Sequence, residues 1–324
     1  MRRLTAGLAC AAAAALITPT AAAAYADADR PETKQAAPQA TAKNAKKSKN
    51  TTPDPVAAVG KRLAAGAGVT YRSATTVQGT VVATTSATFR LDRSGLAASD
   101  VTSRLTVKPA ALGEDAGLAV RPERTIKIGD VTYLNSPLLR KNLPTDRPLV
   151  EANGPEAALL TGPLTSGRAW IETRNGPVAG ALGVFGQLVN PAEPGTLKAL
   201  LATTKSTRSG VVLDGAKTTV YRGTATIGRL HKVSPWLRAT LPLKSAPKAA
   251  NTAIDWTLYV GKDGLPVRLV TSWSPAALGM GSQKFTVDSR FTSWTANVRV
   301  KPPADDQIVQ VDPRHLTAAS PLGR

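Results

Sequence analysis

"IDWTLYVGKDGLPVRLV", residues 254–270, decides the fold. Ile254, Trp256, Leu258 and Val260 are apolar, and Asp255 and Thr257 between them are polar. After Gly261–Gly264 the alternation resumes with Leu265, Val267 and Leu269. A period of two is the signature of a strand with one buried face. A four-residue turn predicts a hairpin with Val260 opposite Leu265 and Leu258 opposite Val267. All its apolar side chains then share one face.

The same period runs through most of the chain. Val77, Gly79, Val81, Ala83, Ala87, Phe89 and Leu91 alternate with polar residues, and Val82 and Thr85 interrupt them. Val101, Leu105 and Val107 repeat the pattern. "TIKIGDVTYL" predicts a hairpin about Gly129-Asp130, with Ile126, Ile128, Val131 and Tyr133 on one side. "VVLDGAKTTVYRG" turns at Asp214-Gly215. Phe285, Val287 and Phe291 share a side, and the parity switches by Trp294, which predicts a bulge.

Helices are few. "TPDPVAAVGKRLAAG" predicts one with Asp54 as N-cap, Pro55 at the first position, Val56, Val59 and Leu63 on one face and Gly66 past its end. "GALGVFGQLVN" and "EPGTLKALLATT" predict two more. About ten antiparallel strands and about three short helices imply an α+β fold. Its sheet either closes on itself or curls around the helices.

The 324 residues carry a net charge of +19. Met1-Arg2-Arg3, an apolar run from Leu4 to Ile17 and Ala24-Tyr25-Ala26 read as a signal peptide cut after Ala26. Cys10 lies inside that run rather than at its end, so lipid anchoring there is not expected, and the mature chain has no cysteine. Residues 27–52 form a basic Ala/Lys-rich linker, 53–311 the folded domain and 312–324 a C-terminal tail. On an exported protein the positive charge favours anionic envelope polymers or a membrane surface over nucleic acid.

Catalytic patterns are weak. His231 reads as a loop residue and His315 as part of the tail, and no zinc pattern or G-x-S-x-G elbow occurs. Ser245-Ala-Pro-Lys248 matches S-x-x-K but sits in a proline-broken loop. Residues 210–217 approach a phosphate loop with the wrong spacing. Asp305-Asp306 is read as part of a tail. The chain is therefore expected not to be an enzyme and to use no cofactor or metal.

Four segments in order resemble one family: "IKIGDVTYLNSP" (126–137), "LLATTKSTRSGVVLDGAKTTVYRGTATIGRL" (200–230), "DWTLYVGKDGLPVRLV" (255–270) and "VRVKPPADDQIV" (298–309). The chain is similar over about residues 55–310 to the LolA-like lipid-binding lipoproteins of the LppX/LprG type. That resemblance implies a curved antiparallel half-barrel with helices on its concave side and an apolar cavity between them. It implies a non-catalytic, monomeric envelope protein that binds or carries a lipid or acylated glycolipid.

The expected pocket residues are Leu182, Phe185, Leu188, Leu197, Leu200, Leu201, Tyr133, Tyr221, Trp256, Leu258, Val267 and Leu269. Trp170 and Trp273 are expected in the core. The sequence departs from the family at the missing lipid-anchor cysteine and at Val220, where histidine is common. The competing expectation is a cell-wall or protein-interaction module with a filled core, held to anionic polymers by its basic surface.

Overall fold

The computed structural model describes residues 53–93, 95–108, 117, 120–137, 170–174, 183–241, 247–278, 281–296 and 298–310. The leader, linker and tail expectations, with Cys10, Leu182, Ser245 and His315, lie outside them.

Twelve strands form one open sheet. They are β1 (Ala67–Val77), β2 (Thr80–Asp92), β3 (Gly95–Leu105), β4 (Glu123–Ile128), β5 (Val131–Asn135) and β6 (Trp170–Arg174). After these come β7 (Thr204–Leu213), β8 (Ala216–Thr226), β9 (Ala253–Val260), β10 (Pro266–Trp273), β11 (Phe285–Ala296) and β12 (Ile308–Gln310). Their spatial order is β12-β6-β5-β4-β3-β2-β1-β11-β10-β9-β8-β7. Neighbours are antiparallel except β12, which pairs parallel to β6. Among the described residues the two ends do not pair, and β7 and β12 are the outermost strands.

Four short helices cover the concave face: α1 (Pro55–Ala64), α2 (Pro194–Leu201), α3 (Ile227–Val233) and α4 (Pro235–Thr240). Curling brings distant strands to one cover. Trp236 of α4 meets Phe89 of β2 edge-on at 5.4 Å, and Trp256 of β9 donates to Thr203, just past α2, at 3.1 Å. This is the curved α+β half-barrel expected.

Local chemistry explains most boundaries. Asp54 accepts from the Val56 amide at 2.9 Å, Pro55 opens α1, and Gly66 follows it in the left-handed region at φ 67°. Val59 and Leu63 turn inward, and α1 packs on α2, β1 and β2. Asp214 and Gly215 adopt φ 51° and 80°, the turn that closes β7 onto β8. Ser234 caps α4 by accepting from the Leu237 amide at 3.0 Å, with Pro235 in the first turn. The interruption at Val82 and the parity switch before Trp294 are both register shifts, opposite Thr75/Thr76 and Thr70/Tyr71 of β1.

Five expectations need correction. In the 254–270 hairpin Leu258 faces Leu269, not Val267, and Val260 faces Pro266, not Leu265. Pro266 has no amide hydrogen to donate, and Val267 is looped out as a bulge before the ladder resumes at Arg268. Residues 183–190 form no α-helix, only a 3-10 turn at Gly183–Phe185. Gln187 Oε1 takes the Val189 amide at 3.2 Å and Asn190 Oδ1 the Ala192 amide at 3.0 Å, so side chains replace the helical carbonyls.

His231 belongs to the last turn of α3, where Nε2 lies 3.1 Å from the Leu241 carbonyl. Asp305 and Asp306 sit in a 3-10 turn leading into β12, not in a tail. Finally, Tyr133 lies on the convex side. It opposes Ile126, which is in line with Asp100 of β3 and Thr88 of β2. Phe89, the neighbour of Thr88, points the other way, into the helical cover.

Candidate functional site: the covered concave face

Register fixes which side chains meet on the concave face. Across β8–β11, β1 and β2 it is apolar. Leu258 opposes Tyr221 and Leu269, and Trp256 opposes Gly223 and Thr271. Ile254, Trp256, Leu258, Val260, Leu265 and Leu269 are all buried in one cluster with Phe185, Leu188, Leu197 and Leu200 from the cover. Leu201 and Tyr221 pack against it. Each fully buried leucine contributes about 1.5–3 kcal/mol of transfer free energy.

Aromatic rings tie the layers together. Phe185 stacks on Phe285 at 6.0 Å, and Phe285 meets Trp273 edge-on at 5.6 Å. Tyr71 sits between Phe89 at 5.8 Å and Phe291 at 5.6 Å, and burial raises its phenol pKa. Trp273 is core, as expected. Trp170 is not: it is half-buried on the convex side, under the Arg124 guanidinium at 5.6 Å.

Of the expected pocket residues, the structure thus gathers Phe185, Leu188, Leu197, Leu200, Leu201, Tyr221, Trp256, Leu258 and Leu269. Val267 sits half-buried in its bulge and Tyr133 is on the other face.

A polar set that the sequence reading passed over holds the cover to the sheet. Gln187 Nε2 donates to Ser289 at 3.0 Å, and Oε1 accepts from Thr271 at 2.8 Å. Thr75 donates to the Phe185 carbonyl. The indole of Trp236 donates to the Gln187 carbonyl at 3.1 Å. Glu193, just before α2, is buried. Its carboxylate accepts from Thr196 Oγ1 at 2.6 Å, from Ser234 Oγ at 2.5 Å and from the Trp236 amide at 2.8 Å. Desolvation raises the Glu193 pKa, opposed by those hydrogen bonds. A glutamate preceding Pro194-Gly195 is the signal in the sequence for this residue, but two of its three partners, Ser234 and Trp236, lie some forty positions away.

Two polar rows cross the sheet. In the first, Ser289, Ser73, Thr85, Ser103 and Glu123 stand directly opposite one another on β11, β1, β2, β3 and β4. Thr85 and Ser103 hydroxyls are 3.1 Å apart. In the second, Ser99, Lys127, Thr132 and Thr173 align on β3 to β6. Among the described residues five buried side-chain atoms have no hydrogen-bond partner: Ser73 Oγ, Ser99 Oγ, Thr173 Oγ1, Asn190 Nδ2 and Trp273 Nε1. Four belong to the concave face and the fifth to the cover.

The convex face is basic. Arg268, Arg290 and Arg72 stand directly opposite one another on β10, β11 and β1. Arg268 grips Asp288 in a two-pronged pair at 2.8 and 2.6 Å and lies 5.2 Å from the Tyr259 ring centre. Arg290 pairs with Asp214. A groove of about 380 Å³ is lined by residues of β7–β10: Lys205, Arg222, Asp255, Thr257, Val270 and Ser272, together with Gly223, Trp256 and Thr271. By register Arg222, Asp255, Thr257 and Ser272 belong to this outer face, whereas Thr271 and Trp256, one of the expected pocket residues, belong to the concave one.

Among the described residues no group of three His, Cys, Asp or Glu is placed to hold a metal ion. No helix among them is long and apolar enough to cross a membrane.

No family model matches the sequence, and neither does any curated protein. Solved structures with a similar chain path include LprF from Mycobacterium bovis, at 13% identity and a TM-score of 0.41, covering 77% of this chain and 95% of that one. Another is the Mycobacterium tuberculosis lipoprotein LppX, at 14% and 0.37, covering 76% and 98%. A LolA superfamily protein from Nitrosomonas europaea matches at 9% and 0.22, covering 76% and 94%. The functional reading below rests on this chain's own geometry.

Proposed function

We propose that this protein is a non-catalytic, extracytoplasmic binder or carrier of an amphiphilic lipid, held between the concave sheet and its helical cover. One observation carries the reading: among the described residues the orphaned polar atoms lie on the concave face of the sheet or on its cover. A permanently closed core has reason to pair such atoms, since each buried unpaired group costs about 1–3 kcal/mol. Here three hydroxyls, an amide and an indole N–H are left unpaired among mostly apolar neighbours. A molecule with an acyl body and a few polar groups complements that surface.

The cover suits such a role. It consists of helices of six to ten residues set between strands of the sheet, and only α3 and α4 follow one another directly. The outer arginine row supplies a second contact, to anionic headgroups or wall polymers.

The test is direct. Protein purified without detergent is extracted into organic solvent and analysed by mass spectrometry, and displacement of the fluorescent acyl probe cis-parinaric acid is titrated in parallel. Co-purifying lipid and saturable probe binding are expected. No extractable lipid together with no probe binding would refute the carrier reading in favour of a filled-core module.

A further inference from the structure

The second polar row is a specific chemical feature of the concave face. Ser99, Lys127, Thr132 and Thr173 occupy directly opposed positions on four successive strands, so their side chains stand side by side on one surface. Lys127 Nζ lies 3.4 Å from Thr132 Oγ1, a long contact that leaves most of the ammonium's donor capacity unused. Ser99 is fully buried and Thr173 is 5% exposed, and neither hydroxyl has a partner. Thr132, between Lys127 and Thr173, is also fully buried.

A half-buried lysine on an inner face needs a reason. Its desolvation is unfavourable and lowers its pKa, and the charge of Asp130 opposes the shift. Asp130 is itself exposed and paired with Arg174 at 2.7 Å, so it does not neutralise Lys127. The acid on the inner face of the same strand, Glu123, stands four residues away, opposite Ser103 rather than in this row. The neighbouring row on the other side holds Val101, Thr125 and Leu134.

We propose that this row is an oxyanion site that receives the carboxylate or phosphate of the amphiphile whose acyl part occupies the concave face. The ammonium supplies charge, and the hydroxyls of Ser99 and Thr173 supply donors that nothing in the fold uses. A neutral ester or alcohol would leave the lysine unpaired, so the row selects for an anionic headgroup. The inference rests on the lipid-binding reading and adds the ligand's charge.

The test compares ligands that differ in that group alone. Wild type, Lys127→Met and Thr173→Val are titrated with cis-parinaric acid and with its methyl ester, and inorganic phosphate is titrated separately by calorimetry. Wild type is expected to bind the acid about tenfold more tightly than the ester. Lys127→Met is expected to abolish that preference while ester affinity holds. Thr173→Val is expected to keep its melting temperature, because it removes an unpaired hydroxyl, and to reduce the preference about two- to threefold.

Equal binding of acid and ester by wild type overturns the oxyanion site and leaves the lipid reading standing. Failure of wild type to bind either probe overturns both. Phosphate alone binding in a Lys127-dependent way keeps the oxyanion site but reassigns its source to a free anion.

Discussion

Replacing Glu193 with alanine tests how the cover is held. The carboxylate joins three pieces of it: Thr196 in α2, the cap Ser234, and the first turn of α4 through the Trp236 amide. The substitution strands three buried donors at about 1–3 kcal/mol each. Relief from burying a carboxylate offsets part of this, so the net loss is about 3–5 kcal/mol. At roughly 2–4 °C per kcal/mol for a domain of this size, melting should fall by about 6–20 °C. Glu193→Gln keeps one acceptor and should lose about 1–2 kcal/mol.

The pH dependence has a definite sign. Burial raises the Glu193 pKa in the folded state above the ordinary value of 4.5, so between the two values the folded protein holds the extra proton. Stability from this group is therefore greatest below 4.5 and declines as pH rises through the folded value. Urea unfolding of wild type and Glu193→Gln from pH 4 to 8 isolates the term, since the glutamine variant should lack that slope. A Glu193→Ala variant within about 1 kcal/mol of wild type would refute this account of the cover.

Two further substitutions probe the sheet. Leu258→Asp places an unpaired carboxylate at a fully buried position and should cost several kcal/mol, whereas Thr257→Asp on the outer face should be mild. Equal melting shifts would put the register of β9 in error. At Gly223 a Cβ would overlap the Thr203 carbonyl and the Trp256 ring, so Gly223→Ala should destabilise by about 1–3 kcal/mol in denaturant titration. On the convex face, Arg72→Glu sets an acid directly opposite Arg290 and should gain about 0.2–1 kcal/mol, lost in high salt.

What the sequence revealed depended on whether one face of an element was wet. Hairpins at Asp214-Gly215 and at 254–270, the α1 cap and the bulge before Trp294 were legible because alternation or turn chemistry marks them locally, while the bulge at Val267 that shifts the 254–270 register was not. In β4 and β5 both faces carry buried residues: Ile126 and Leu134 point to opposite sides of the sheet and both are buried. Alternation then no longer says which side is inside, so the pattern places Tyr133 in the pocket when it lies on the convex side. Residues 183–190 have a helical spacing of apolar groups, but Gln187 and Asn190 take the backbone amides, and only the tertiary structure shows it. Of the concave face, the apolar half could be read and the polar rows could not. Ser99, Lys127 and Thr173 are brought together by strand order alone.

The free margins of the sheet carry one more consequence. An open sheet invites strand addition, and a chain with two bare edges could in principle join its copies into an endless ribbon. Neither margin here is a good template. β12 is three residues long. β7 is longer, but its pairing slips twice, around Lys205 and Gly210, so its outer row of amides and carbonyls is irregular. Lys205 and Arg208 add exposed positive charge to it. A second copy would bring the same cations to the same irregular edge, and the half-barrel stays open without becoming adhesive.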